Sequence, residues 1–122
     1  MSDLTISGSL SLDQFDDLIP LQPEAIDLEV AMSGDVVSAG FQEIGTTKEN
    51  ITLLSDHGTL GWAFFLNTDS TNYVSFGEDA DSPFGEMKAQ EFAVLRLSRA
   101  ISNVSMKADT AACKVFHFVC DD

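Results

Sequence analysis

The sequence predicts an all-β fold: an antiparallel β-sandwich or jelly-roll-like domain of about eight or nine short strands, with an extended N-terminal arm. Three observations predict it. Apolar residues recur with a period of two rather than 3.6. Turn signals built from Gly, Pro, Asp, Asn and Ser fall about every ten residues. The chain has 122 residues, 44% of them hydrophobic, which suits one core and one domain.

The elements follow in order. In LTISGSLSL (4–12), Leu4, Ile6, Gly8, Leu10 and Leu12 alternate with Thr5, Ser7, Ser9 and Ser11. That pattern is a strand with one wet face, or an arm laid on a partner. DQFDDLIPLQPE (13–24) holds Pro20, Pro23 and three aspartates, and reads as an irregular connector. Residues 1–24 are therefore the arm and connector, and 25–122 a single sandwich domain. Ile26, Leu28, Val30 and Met32 alternate with polar or small residues before a Ser-Gly-Asp turn. Further strands are expected in VVSAGFQEI (36–44) and ENITLL (49–54), with a loop at SDHGTLG (55–61).

WAFFLNTDSTNYVSFG (62–77) contains the single Trp and the single Tyr. Apolar residues of both parities in its first half predict a strand covered on both sides, in the centre of a sandwich or under a neighbouring subunit. NTDSTN reads as a hairpin turn, after which Val74 and Phe76 share one face and Tyr73 lies on the other. EDADSPFGEMK (78–88) is an acidic loop, and EFAVLRLS (91–98), NVSMKAD (103–109) and CKVFHFVC (113–120) complete the strands. A helix across 82–101 fits Ala89, Phe92, Val94 and Leu95 only in part, and the β-enriched run favours a strand.

Charge narrows the function classes. Twenty acids against six bases give a net charge of −14, which disfavours nucleic acid and anionic membrane surfaces as partners. Residues 1–47 carry nine acids and no Lys or Arg, whereas Lys88, Arg96, Arg99, Lys107 and Lys114 lie in the last 35 positions. The asymmetry reads as a solvated acidic surface, or as an acidic part that meets a basic one on another copy or another protein. No apolar run reaches the ~18–20 residues of a membrane span, and the N-terminus lacks a signal-peptide pattern, so an intracellular origin is expected. Cys113 and Cys120 on one strand would stand ~23 Å apart, so two free thiols are expected.

Catalytic and metal motifs are absent. There is no GxSxG elbow, phosphate-binding glycine loop, CxxC or His pair at ligand spacing. His57 reads as an exposed loop residue and His117 as a packed or interface histidine. The acidic 78–86 loop has the oxygens for Ca²⁺ but not the EF-hand register, so it reads as solvated. Asp121 and Asp122 read as a frayed, charged tip. No catalytic residue, metal ligand or cofactor is assigned.

IGTTKENITL (44–53), GWAFFLNTDSTNYVSFG (61–77), MKAQEFAVLRLS (87–98) and KADTAACKVFHFVCDD (107–122) resemble small virion structural proteins of tailed double-stranded DNA bacteriophages. The resemblance spans about residues 44–122 and leaves the N-terminal third uncovered. Leu54-Ser55-Asp56-His57 departs from it, standing where similar chains tend to have Gly-Asp. The resemblance implies a non-enzymatic, capsid-binding decoration (cement) protein, or a neck, collar or tail subunit, assembled in the host bacterial cytoplasm. It implies other virion proteins as partners and self-association as a trimer or ring. A sugar- or calcium-binding module built on Tyr73 and the 78–86 loop is the further alternative. The residues expected at an interface are Leu4, Ile6, Leu10, Leu12, Phe15, Asp16, Asp17, Tyr73, Arg96 and Arg99.

Overall fold

The computed structural model describes residues 3–12, 21–31 and 34–122, with side chains described at 4–7 and 34–122. Ten strands are present among them, and no helix. The first two, β1 (Asp3–Leu12) and β2 (Leu21–Ala31), pair antiparallel with each other as a separate ribbon. The sandwich proper contains β3 (Val37–Ile44), β4 (Glu49–Asn50), β5 (Leu60–Asn67), β6 (Val74–Gly77), β7 (Gly85–Met87), β8 (Phe92–Arg96), β9 (Ser105–Ala108) and β10 (Cys113–Asp121). Two four-stranded antiparallel sheets pack face to face, in the orders β3-β10-β5-β8 and β4-β9-β6-β7.

Side-chain parity explains the packing. Along β10, Cys113, Val115, His117 and Val119 are buried, whereas Lys114 is exposed and Phe116 and Phe118 are half-buried on the opposite face. Along β5, Ala63, Phe65 and Asn67 point inward. The opposing sheet contributes Val74, Phe76, Met87, Met106 and Ala108 to the same core. Phe65 and Phe76 meet across the sandwich with ring centroids 5.9 Å apart. Fully burying a ring such as Phe65 contributes about 1.5–3 kcal/mol.

Three expectations about the chain path are corrected. The 62–77 segment is not a hairpin, because β5 and β6 belong to different sheets. NTDSTN instead arches over the end of the sandwich, and Asn67 explains why. Its buried Nδ2 donates to the carbonyls of Asn72, Met87 and Lys88 at 2.9, 3.1 and 3.2 Å, while Asp69 Oδ2 accepts the N–H groups of Thr71 and Asn72. Those bonds satisfy the arch from inside, where a two-residue hairpin turn would have satisfied itself.

The expected 49–54 strand pairs with β9 only at Glu49 and Asn50, with one further bond from Ile51 N–H to the Val104 carbonyl. Beyond it, side chains of β3 replace a ladder: Gln42 Oε1 accepts the Thr52 N–H and Ser38 Oγ the Leu54 N–H, both at 2.8 Å. The third correction concerns the connector. β2 starts at Leu21, inside the segment read as irregular, and Pro23 falls where the register shifts between Leu10↔Glu24 and Leu12↔Leu21. A bulge is where a residue without an N–H is tolerated in a strand.

Candidate interaction surface

Alternation that buries one side of β3-β10-β5-β8 sends the other side outward, and that outer side is apolar as well. The register aligns Phe41, Phe116, Leu66 and Phe92 in one row across the four strands. Ala39, Phe118, Phe64 and Val94 form the next row, and Trp62 stands beside Arg96 in the third. Rings connect along the sheet: Phe41–Phe116 at 5.2 Å, Phe116–Phe64 at 6.2 Å and Phe64–Phe92 at 6.0 Å. Lys114 Nζ lies 4.9 Å from the Phe41 ring centroid. Exposure is high for such residues: 61% for Phe41, 65% for Phe92 and 42% for Val94. A contiguous exposed apolar face of this kind is a candidate interaction surface.

The ribbon reaches part of this face. Leu4, Thr5, Ile6 and Ser7 line a groove of about 430 Å³ together with Trp62, Phe64, Phe92, Val94 and Phe118. Leu4 and Ile6 are half-buried there, while Thr5 and Ser7 are exposed. Of the residues expected at an interface, Leu4 and Ile6 therefore stand against the aromatic face. Leu10 and Leu12 continue β1, with side chains outside the described set, and Phe15, Asp16 and Asp17 lie outside the described residues. Tyr73 is 39% exposed but sits just before β6, which belongs to the other sheet. Arg96 and Arg99 both reach Asp122, the latter at 3.4 Å, and make a basic corner at the end of the face. Of the outer face, only the 62–66 strand was expected under cover, by a second sheet or a neighbouring subunit, and Phe41, Phe92, Phe116 and Phe118 were missed. Their signal was Phe116 and Phe118 alternating with inward residues on a strand whose inward set was already apolar.

A second cluster corrects two further expectations. The His57 side chain is only 1% exposed rather than solvent-facing. Its Nδ1 lies 2.8 Å from Ser38 Oγ and its Nε2 3.4 Å from Asp121 Oδ1. Asp121 is not a frayed tip, because it is buried and its two oxygens accept the N–H groups of Gly58 and Val36 at 3.0 and 3.2 Å. Hydroxyl, imidazole and carboxylate are thus in the sequence that activates a nucleophile. Ser38 is 2% exposed, however, and its Oγ already receives the Leu54 N–H. The arrangement ties β3, the 54–58 loop and the end of β10 together. Glycine at 34 and 61 permits that closeness, since a Cβ there would stand 2.4 Å from Asp121 Oδ2 and 2.7 Å from the Asp121 carbonyl.

The acidic 78–86 loop is closed by ammonium groups. Lys48 Nζ lies 3.0 Å from Asp79 and 3.3 Å from Asp81, and Lys107 Nζ 2.9 Å from Asp81. Hydrogen bonds to Asp79 and Asp81 hold the Lys48 ammonium above the usual lysine range. The Asp81 N–H and Lys48 hold Asp79 below the carboxylate range, and Lys107 and Lys48 do the same for Asp81. Two ammonium groups thus pair with three of the four carboxylate oxygens of Asp79 and Asp81. Among the described residues, no group of three or more His, Cys, Asp and Glu is arranged to hold a metal.

Both cysteines are free and buried. Burial pushes the Cys113 thiol up to about 11 and raises Cys120 as well. His117 Nε2 bonds the Thr52 carbonyl at 3.2 Å, its buried Nδ1 has no partner, and burial lowers its pKa. Comparison with protein-family models, curated proteins and solved structures finds no match to the chain.

Proposed function

We propose that this chain is a bacteriophage virion structural protein that works by binding rather than by turnover. In this reading it is a capsid decoration, or cement, protein that bridges neighbouring shell subunits and is assembled in the host cytoplasm. The observation that carries the reading is the sheet β3-β10-β5-β8, which is apolar on both sides. One side makes the sandwich core. The other is a ring-lined face with a charged corner at Arg96, Arg99 and Asp122, which is the anatomy of a protein–protein contact: apolar centre, polar rim. The sequence resemblance over 44–122 supports a phage particle, and the apolar face supports assembly through protein–protein contacts.

A neck or tail subunit would use the same face and differ in copy number. Quantitative protein composition of purified virions, with localisation by cryo-electron microscopy, tests both. Hundreds of copies spread over the shell are expected, a dozen or fewer would move the chain to the neck or tail, and absence from particles would overturn the proposal.

A further inference from the structure

The outer aromatic face needs an occupant, and the geometry points to the β1–β2 ribbon of a second copy of this chain. This deepens the reading of the face as an interaction surface. It does not depend on which particle, if any, carries the protein.

The ribbon already lies beside the face, where Leu4 and Ile6 line one groove with its residues. Its register sets Leu4 opposite Val30, Ile6 opposite Leu28 and Gly8 opposite Ile26, so one face of the ribbon is apolar across these three pairs, with Leu10 opposite Glu24 beyond them. The other face pairs Thr5 with Glu29 and Ser7 with Asp27. An apolar ribbon face and an apolar sheet face are complementary, yet within one chain they meet incompletely. The groove between them stays open at about 430 Å³, and Phe92 and Phe41 remain 65% and 61% exposed.

The tether explains the poor fit. Only residues 32–36 separate β2 from β3, and Asp121 Oδ2 pins the Val36 N–H at 3.2 Å. A short tether limits how a ribbon can lie on its own domain, and short hinges are where chains exchange elements between copies. A ribbon supplied by a second copy is free of that limit.

The area is sufficient only in the reciprocal form. Four strands at ~4.8 Å spacing and three rows of outward residues make a face of roughly 350 Å². Two reciprocal ribbon-on-face contacts would bury about 1,400 Å² in total, within the range of stable interfaces of ~1,200–2,000 Å². A single contact gives half of that. The ribbon strands carry Asp3, Glu24, Asp27 and Glu29 and no Lys or Arg, so they suit a face whose corner holds Arg96 and Arg99.

The test uses the full chain in sedimentation equilibrium with two double variants, Leu4→Lys/Ile6→Lys on the ribbon and Phe92→Glu/Val94→Glu on the face. Phe92 and Val94 are exposed, so the sandwich core is untouched, and the urea transition of Trp62 verifies folding of each variant. Wild type is expected to dimerise, each variant alone to self-associate at least ~10-fold more weakly, and an equimolar mixture to form a 1:1 heterodimer. The mixture recovers association because the face variant's intact ribbon meets the ribbon variant's intact face, while in the second contact the introduced lysines meet the introduced glutamates instead of an apolar surface. A wild-type chain that stays monomeric up to about 1 mM, a very weak affinity, overturns the inference. So does a ribbon variant that dimerises as well as wild type, which would mean face stacking on face. Virion composition is not read in this experiment, so failure here leaves the particle assignment to its own test.

Discussion

Removing the Asp121 carboxylate should loosen the sandwich far more than removing its neighbour Asp122. Asp121 Oδ1 accepts the Gly58 N–H at 3.0 Å, Oδ2 accepts the Val36 N–H at 3.2 Å, and His57 Nε2 stands 3.4 Å from Oδ1. The side chain is 11% exposed, so water does not readily replace those bonds. A hydrogen bond to a charged group contributes about 1.5–3 kcal/mol, and a stranded buried donor costs about 1–3 kcal/mol. Asp121→Ala strands two donors together and should lose about 3–5 kcal/mol. Asp121→Asn keeps the volume and one oxygen but turns an amide N–H toward one of the two donors, so about 1.5–3 kcal/mol is expected. Asp122 pairs with Arg96 and Arg99 at a half-open corner, and its replacement by alanine should lose no more than about 1 kcal/mol.

The assay is equilibrium urea unfolding at one fixed protein concentration, followed by the fluorescence of Trp62, the single tryptophan. Trp62 lies on β5 beside β10, and its carbonyl accepts the Cys120 S–H at 3.3 Å, so its signal reports on the strand that carries Asp121. With a slope of about 2 kcal/mol per molar urea, the alanine variant should unfold roughly 1.5–2.5 M earlier than wild type. The reasoning is refuted if alanine falls within 1 kcal/mol of wild type, or if asparagine is the weaker of the two.

Three further outcomes follow from single sites. Gln90 holds φ of 65° in the turn closed by Glu91 N–H to the Lys88 carbonyl, so Gln90→Gly should stabilise by about 0.5–1 kcal/mol in the same unfolding assay. Gly85→Ala should destabilise by about 1–3 kcal/mol, because a Cβ there would stand 2.6 Å from the Phe76 ring, itself packed on Phe65 and Phe84. Ellman's reagent at pH 8 should find Cys113 and Cys120 nearly silent in the folded chain and both reactive in denaturant, since burial raises both thiols and Cys113 stands at about 11.

Stability should also fall on the acid side through His117. Its folded pKa is lowered by burial, so the unfolded chain takes up the proton first. Stability is complete above the unfolded value of about 6.5 and declines as pH drops from there toward the lower folded pKa. The proton would enter at Nδ1, which has no partner, while Nε2 holds the Thr52 carbonyl. Comparing the pH dependence of unfolding in His117→Gln with wild type isolates this term. An unchanged acid limb in the variant would remove His117 as its source.

The sequence by itself determined what depends on neighbours along the chain. The period of two made the chain all-β, and parity placed Val115, His117 and Val119 on one buried face and Val74 and Phe76 on another. The extended spacing of the two cysteines kept them from bridging. Tertiary structure decided what depends on distant partners. Strand pairing is a choice among non-local neighbours, and the same NTDSTN reads equally as a hairpin turn or as an arch, so only Asn67's bonds to Met87 and Lys88 put β5 and β6 in separate sheets. His57 looked like a loop residue because Ser38 and Asp121, which enclose it, arrive from elsewhere in the chain. The outer aromatic face was hidden for the same reason. Phe41, Phe64, Phe92 and Phe116 lie on four separate strands, and only the register of the folded sheet sets them side by side.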